Sequence, residues 1–339
     1  MKKLLPILFF LPLLVLSQDF QLKNIDTKTD ASFRGLSVVD NDIAWVSGSK
    51  GWVGLTTNGG KDWAFQQVKG FETLDFRSLY AFDSKIAVIA NAGSPANILR
   101  TTDGGQTWKL VYKNELKEAF FDGIDFWNDT EGIIYGDPIQ NRMLMLRTTD
   151  GGASWKELPG KNRPLLKEGE ASFAASGTNI RCFDKEKAII ATGGFVSRLW
   201  ISEDKGTSWK PLPTPMLQGE STTGIFSFAY LNSKTFFIAG GDYKKDTLAV
   251  KHIFYTEDGG KIWSVPAVPT RGYRECVEYL TKNKLIAVGP KGIDISRDGG
   301  ITWTPFSDEK LYHVARKARK GSLTIVAGGS GKVSILTND

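Results

Sequence analysis

The sequence predicts an all-β fold, a seven-bladed β-propeller in which an N-terminal strand completes the last blade. Three observations lead to this prediction: a turn motif that occurs six times, seven short apolar runs that end in small residues, and a chain that stops inside a seventh copy of the turn. The 36 glycines and 10 tryptophans, with no long helical periodicity, agree with it. Because a propeller grows by adding blades, residues 18–339 are expected to form a single domain.

The turn motif has the pattern Ser/Thr-x-Asp/Asn-x-Gly-x-x-Trp. Asp or Asn bonds nearby amides and Gly accepts positive φ, so each copy predicts a hairpin turn. Its closing tryptophans lie 40 to 54 residues apart, about one four-stranded blade, and are expected to pack between neighbouring sheets. They are Trp63, Trp108, Trp155, Trp209, Trp263 and Trp303. An Asp repeated in nearly every blade indicates an architectural role rather than a catalytic or metal-binding one.

Seven apolar runs mark one strand in each blade. They span residues 43–48, 86–91, 132–136, 188–193, 235–240, 285–289 and 323–328. Since only six turns are complete and the chain ends at Asp339, the seventh blade lacks its outer strand. An open edge would leave backbone groups unpaired. We therefore predict that Phe20–Ile25, which precedes the first blade, supplies the missing strand.

The first 17 residues predict a signal peptide and therefore export, to the periplasm or out of the cell. Lys2 and Lys3 precede an apolar run over residues 4–16, and small or modest residues follow where a signal peptidase would cut. The run is short for a membrane span. After cleavage no stable membrane span is expected; an uncleaved N-terminal anchor is the alternative.

Cofactors and nucleic acid are not expected as partners. The chain has two cysteines and two histidines, too few and too scattered for a zinc or haem motif. Cys182 and Cys276 fall in blades four and six, which predicts two buried thiols too far apart for a disulfide. The formal net charge of +6 suits an anionic partner but includes no concentrated Lys/Arg block.

The functional face is predicted to be the one opposite the Asp-containing turns, because the longest connections lie there. If the first strands line a central channel, the polar groups near their starts converge on one cleft. The predicted ligand-binding residues are Arg34, Arg77, Asp137, Arg142, Glu170, Arg198, Asp242, Tyr243, Arg274 and His313. Asp122 holds in blade three the position that Arg34 and Arg77 hold in blades one and two. An arginine beside a carboxylate there can equally be a simple ion pair.

The turn resembles the Asp-box, or BNR repeat, of sialidases, some glycan-cleaving propellers and the sortilin family. Over almost the whole mature chain, the sequence is similar to bacterial exported relatives of the photosystem II stability and assembly factor propellers. The segments that carry this second resemblance are Gly136-Asp137-Pro138-Ile139 and residues 169–177, 224–227, 240–243 and 272–274.

The photosystem factors are seven-bladed propellers that bind folding intermediates through an arginine-bearing surface, without catalysis. The resemblance implies that Arg34, Arg77 and Arg274 form an analogous patch. It also implies a non-catalytic binding or assembly module for a protein or glycan, which we expect to be monomeric.

A glycoside hydrolase is the alternative function. It would need an acid and a base or nucleophile about 5 to 5.5 Å apart for retention, or roughly 6.5 to 9.5 Å for inversion. The candidate catalytic carboxylates are Asp137, Glu170 and Asp242. The Phe-Arg-Ile-Pro signature of sialidases is absent, because Phe33-Arg34 is followed by Gly35.

Overall fold

Seven antiparallel sheets form the blades of a propeller around a central channel. The structure, a computed structural model, describes residues 20–338, with only the backbone of Asn338. The first strand of each blade contacts the first strand of the next, and the last of these contacts the first, so the ring is closed. The predicted seven-bladed all-β fold is confirmed. The predicted signal peptide lies outside the described residues.

The strands are short and follow one another along the chain. They are β1 Phe20–Ile25, β2 Phe33–Val38, β3 Ala44–Gly48, β4 Trp52–Thr56, β5 Ala64–Gln67, β6 Phe76–Ala81, β7 Ala87–Asn91, β8 Ala96–Thr101, β9 Lys109–Asn114, β10 Phe121–Phe126, β11 Gly132–Ile139, β12 Arg142–Thr148, β13 Lys156–Glu157, β14 Glu170–Ala171, β15 Ile180–Phe183, β16 Lys187–Ala191, β17 Gly193–Gly194, β18 Arg198–Ser202, β19 Lys210–Pro213, β20 Thr223–Tyr230, β21 Phe236–Asp242, β22 Ile253–Thr256, β23 Cys276–Tyr279, β24 Leu285–Gly289, β25 Gly292–Ser296, β26 Thr304–Ser307, β27 Tyr312–Lys317, β28 Thr324–Gly328 and β29 Val333–Asn338. One 3-10 turn spans Gly160–Asn162.

Blades one to three are β2–β5, β6–β9 and β10–β13; blade four is β15, β16, β18 and β19; blade six is β23–β26. Blade seven is β27–β29 completed by β1. The β1 strand pairs antiparallel with β29, with Phe20 opposite Asn338 and Ile25 opposite Val333. Phe20–Ile25 therefore supplies the outer strand of the last blade, as the sequence predicted, and no edge of β29 is left unpaired over this length.

Blade five departs from the four-stranded pattern. Its strands β20–β22 are followed by a single bridge between Tyr255 and Ser264 in place of a fourth strand. The chain then moves to blade six, where Val268 forms a parallel bridge with Thr302. On the inner side, β14 and β17 extend the same sheet beyond β20.

The Asp-containing turns join strands three and four and are held by their own side chains. In blade two, the amide of Thr107 donates to Asp103 Oδ1 over 2.9 Å, and the amide of Gly105 donates to Thr101 Oγ1 over 3.0 Å. Gly104 and Gly105 have φ of 75° and 83°, which glycine adopts without strain. The amide of Gly104 also bonds the carbonyl of Lys85, in the turn between strands one and two. Both sets of turns therefore share one face, as predicted.

The motif tryptophans pack between neighbouring blades. Trp303 is 2% exposed and meets Phe237 of blade five edge-on at 6.2 Å. Trp155 packs with Val88 of blade two. The ring N–H of each of these two tryptophans donates to the carbonyl of the preceding motif glycine, at 3.1 and 3.2 Å. Each indole thus joins a turn to the interface between two sheets.

The two thiols are free, and they differ in burial. Cys276 is fully buried, whereas Cys182 is half-buried and lines a cavity at the turn-bearing end of the channel. The prediction of two buried thiols is therefore correct for Cys276 and wrong for Cys182, because Cys182 borders this cavity. Among residues 20–338, no helix is long and apolar enough to cross a membrane.

Candidate functional site

A segment from the loop that leads into blade four lies across the channel mouth opposite the Asp-containing turns. We call Ser172–Thr178 the crossing segment. The Phe173 ring stacks on Phe226 of blade five, with centroids 3.9 Å apart and planes at 8°. The hydroxyl of Ser176 donates to the carbonyl of Glu275, in the segment leading into blade six, over 2.8 Å. One loop of a single blade therefore closes the channel by contacting the others.

Arginines from three blades hold the crossing segment by its carbonyl groups. Arg34 Nη1 donates to the carbonyl of Ala175 over 2.7 Å, and Arg316 Nη2 donates to the carbonyl of Gly177 over the same distance. Arg77 Nη1 makes a longer contact, 3.5 Å, with the carbonyl of Ala174. Because a loop across a channel lacks strand partners for its backbone, these guanidinium groups satisfy carbonyls that would otherwise be unpaired.

A cavity of about 520 Å³ lies at this mouth. Its walls combine aromatic rings with charged side chains, the usual composition of a ligand site. The lining includes Arg34, Arg77, Phe120, Asp122, Asp137, Ser172, Phe173, Ala174, Ala175, Phe226, Tyr243, Asp246, Tyr273, Glu275, Pro290 and His313. Five predicted binding residues therefore meet here: Arg34, Arg77, Asp137, Tyr243 and His313. Their role in binding stays a prediction.

Glu275 is at the centre of an ion-pair network on one side of the cavity. Its Oε2 accepts from Arg34 Nη1 over 2.9 Å and lies 2.7 Å from His313 Nδ1. Burial alone would raise the pKa of Glu275, but Arg34 and His313 lower it below its ordinary value. The positive charge of Arg34 is thereby neutralised by an ion pair within the protein.

Asp122 and Asp137 form an acidic corner on the opposite side. Asp122 is fully buried, and both of its carboxylate oxygens lack a hydrogen-bond partner among residues 20–338. Burial raises its pKa, Asp137 adds to this increase, and Arg77 opposes it. Burial also raises the pKa of Asp137, against a 3.2 Å hydrogen bond from the amide of Ser172. Arg77 instead pairs with Asp75, Nε to Oδ2, at 2.7 Å.

The other predicted residues lie outside the cavity, so the expectation of one common cleft is wrong for them. Glu170 forms a two-bond pair with Arg198, at 2.9 and 2.7 Å, and also accepts from Thr192 and Trp200. Burial would raise the pKa of Glu170, but these donors lower it below its ordinary value. This pair stands beside β17 and β18 and stabilises blade four.

Arg274 is fully buried and cannot belong to a surface patch, which corrects that expectation. Its guanidinium binds Asp294 and the carbonyl of Tyr273 inside blade six. Arg142 donates to the carbonyls of Gly160 and Arg163 in a loop. Asp242 is 3% exposed and accepts from the amide of Lys244.

Sequence reasoning missed the most unusual group of the cavity. In the sequence, Asp122 is distinguished only by its position, which matches those of Arg34 and Arg77. When the blades are aligned, a carboxylate stands where neighbouring blades carry guanidinium groups, and this difference is visible in the sequence. The lack of hydrogen-bond partners for Asp122 is visible only in the structure. The crossing segment was also missed, although its run of small residues allows a chain to pass close over a channel.

The comparisons with known proteins agree with this architecture. A family model described as photosynthesis system II assembly factor YCF48 matches residues 15–117 and 92–168. The BNR/Asp-box repeat model matches residues 294–305. No curated protein matches the sequence.

Solved structures align with almost the whole chain. "YCF48 bound to D1 peptide" has a TM-score of 0.70 at 18% identity, covering 94% of this chain and 97% of that one. YCF48 from Cyanidioschyzon merolae has a TM-score of 0.68 at 17% identity, covering 93% and 98%. The GH74 xyloglucanase from Xanthomonas campestris has a TM-score of 0.63 at 12% identity, and the chain spans about half of it, 53%. At these identities the likeness concerns the fold.

The fold and its repeated turns define the chain as a seven-bladed Asp-box (BNR) repeat propeller. Within that class it is similar to the photosystem II assembly factor YCF48, in sequence over residues 15–117 and 92–168 and in fold over almost the whole chain.

Proposed function

We propose that this protein is an exported, non-catalytic binding or assembly module that engages a polypeptide in the cavity beside the crossing segment. The observation that carries the proposal is this cavity, about 520 Å³ and walled by aromatic and charged side chains at the closed channel mouth. The similarity to YCF48, one structure of which is described as bound to a D1 peptide, supports a polypeptide ligand. A glycan is the other ligand class that such walls suit.

The positions of the carboxylates support binding rather than hydrolysis. Of the three candidate catalytic groups, Glu170 is saturated by donors and Asp242 is turned to a backbone amide. Asp137 does line the cavity, with Asp122 as its acidic neighbour. A glycosidase pushes the pKa values of its two carboxylates apart. Here burial raises both in the same direction.

The Asp122 and Asp137 pair is also the observation that favours the alternative, a glycoside hydrolase, since both groups line a cavity of sugar size. Hydrolysis of a panel of polysaccharides and aryl glycosides, lost in Asp137→Asn, would support this alternative. Absence of turnover by the wild-type protein on the whole panel is the result that the binding proposal expects.

Tyr243 offers the sharpest test of the binding proposal. It is 46% exposed and meets Phe173 and Phe226 in T-shaped ring contacts, so its removal should change stability by less than about 1 kcal/mol. We expect peptides selected from a displayed random library on the wild-type protein to bind Tyr243→Ala at least about tenfold more weakly, because exposed aromatic side chains anchor ligands. Calorimetric titration of the selected peptides measures this loss.

Phe195→Ala is the matched control for that experiment. Phe195 is a 54% exposed aromatic residue outside the cavity, and its truncation should leave peptide affinity unchanged. Selected peptides that bind Tyr243→Ala as tightly as the wild type would place the binding surface elsewhere and defeat the proposal.

Export and a monomeric state belong to the same proposal. Lys2, Lys3 and the apolar residues 4–16 support cleavage by a signal peptidase. N-terminal sequencing of the protein from its native host should find Gln18, or a residue close to it, at the mature N-terminus. An intact Met1 on the native protein would contradict cleavage and favour the uncleaved N-terminal anchor.

A further inference from the structure

The charges around the cavity do not match the arginine-bearing patch that the sequence suggested. Two arginines line it, and four carboxylates do: Asp122, Asp137, Asp246 and Glu275. Both arginines form ion pairs within the protein. Arg34 pairs with Glu275, and Arg77 pairs with Asp75. The cavity of this basic protein is therefore acidic.

Two of the four carboxylates have no cationic partner. Glu275 has Arg34, and Asp246 lies 3.6 Å from Lys291 Nζ. Asp122 and Asp137 make no ion pair within residues 20–338. Asp122 is also fully buried, with both oxygens unpartnered. A buried carboxylate without hydrogen-bond donors raises the free energy of the folded protein. A binding partner that donates hydrogen bonds to it removes this cost, which favours binding.

The aromatic side of the cavity is suited to the remainder of a cationic side chain. Phe173, Phe226 and Tyr243 contact one another along the wall, with centroid separations of 3.9 to 6.4 Å. Ring faces attract guanidinium and ammonium groups, and rings also pack against their methylene stems. A metal ion fits less well, because no three His, Cys, Asp or Glu side chains within residues 20–338 are placed so that they could hold one ion together.

We propose that the acidic corner of Asp122 and Asp137 receives the side chain of an arginine or lysine in the bound polypeptide. This inference rests on the proposed binding function and specifies its ligand. The guanidinium or ammonium group donates to the unpartnered oxygens of Asp122, and the aromatic wall covers the stem. The cavity thus selects basic segments, the reverse of what the net charge of the whole chain favours.

The test uses the whole mature chain and two synthetic probes, acetyl-glycyl-arginyl-glycinamide and its citrulline analogue. Citrulline has nearly the shape of arginine without its charge. We expect the arginine probe to bind at least about tenfold more tightly by NMR titration, with the difference lost in Asp122→Asn. The control Glu168→Gln neutralises an exposed carboxylate on the loop that carries the crossing segment and should retain the difference.

Three results would overturn the inference. The first is equal affinity of the two probes. The second is no binding of the arginine probe up to about 10 mM, a range that includes weak single-residue contacts. The third is tight binding of Ca²⁺ alone that disappears in Asp122→Asn. Thermal melting of Asp122→Asn checks that the variant is folded, and Asp137→Asn provides a second substitution in the same corner.

The library-peptide experiment distinguishes failure of the acidic-corner proposal from failure of the general binding function. If library peptides depend on Tyr243 yet show no enrichment of basic residues, the binding function stands and the acidic corner fails. If no library peptide depends on Tyr243, the binding function itself fails.

Discussion

At the scale of single residues, Asp122 and the Asp-containing turns show how one side-chain type has opposite roles. Asp103 is surrounded by donors that lie two to four residues away in its own turn. Asp122 is buried among groups that offer it none. The pKa of Asp103 is lowered, chiefly by the hydroxyl of Thr107, and that of Asp122 is raised, chiefly by burial. One carboxylate stabilises the fold when ionised, and the other destabilises it.

Asp122→Asn should therefore stabilise the protein at pH 8 and have little effect at pH 4. A carboxyl whose pKa is raised in the fold contributes a stability that is lost as pH rises from its ordinary value of 3.8 through the raised value. The amide cannot ionise, so the variant keeps that stability. The expected gain is about 1.4 kcal/mol for each unit by which the pKa is raised.

Urea unfolding of both proteins at the two pH values measures this difference. Equal destabilisation of Asp122→Asn at pH 4 and pH 8 would contradict the prediction. It would mean that Asp122 is ionised and favourably paired with Arg77 in the folded protein.

At the scale of elements, β1 is the strand on which ring closure depends. It comes from the start of the described chain, yet its partner β29 lies at the end. Asn24 faces Ser334 in this pairing, with Oδ1 and Oγ 2.7 Å apart, and the hydroxyl of Tyr312 lies 2.7 Å from the same Oγ. This polar contact links the outer strand β1 to the inner strand β27 of blade seven through Ser334 of β29.

An engineered disulfide between Asn24→Cys and Ser334→Cys should raise the melting temperature of the oxidised protein, and a reductant should reverse the increase. The closed loop contains most of the chain, so the entropy model gives roughly 5 kcal/mol or more, and engineered disulfides typically deliver about 2 to 4 kcal/mol of this. Differential scanning calorimetry with and without reductant measures the effect. The Asn24→Cys single variant controls for the lost hydrogen bond.

Failure of the two cysteines to cross-link would contradict the pairing of β1 with β29. Cross-linking with identical melting curves in both redox states would mean that the ends separate only after the blades have unfolded.

At the scale of the whole molecule, five Asp-containing turns act together on the same face. Hydrogen bonds from the turn lower the pKa values of Asp103 and Asp258. Burial opposes the decrease at Asp150, Asp204 and Asp298, yet their turn hydrogen bonds lower those pKa values as well. Since blades are stabilised by their neighbours, the loss of several turns at once should unfold the ring cooperatively.

Acidification should therefore destabilise the propeller steeply below pH 3.8. A carboxyl whose pKa is lowered in the fold contributes a stability that is present above its ordinary value, 3.8, and is lost as pH falls through the lowered value. Circular dichroism along a pH titration should show one cooperative transition. The Asp204→Asn variant should be less stable than the wild type at pH 7, and its stability should change less as the pH falls. A gradual transition, or equal pH dependence in the variant, would show that the turns do not act in this way.

How much of this protein the sequence predicts depends on how far apart interacting residues lie. The turns, the seven blades and the closing strand follow from patterns within one blade or from the count of strands at the two ends. The site does not. Arg34 binds groups 141 and 241 residues away, at Ala175 and Glu275. Arg274 has the same chemistry at the start of its blade but turns into the sheet towards Asp294.

The sequence by itself determined the repeated hairpins and the seven-bladed ring, because local hydrogen bonds and strand pairing specify them. Only the tertiary structure decided which charges are neutralised and which are left over. Burial and pairing at the channel mouth depend on loops from several blades meeting over it. The crossing segment engages Arg34 and Arg77 and leaves Asp122 buried without a partner. The cavity is therefore acidic, although the resemblance implied an arginine-bearing patch.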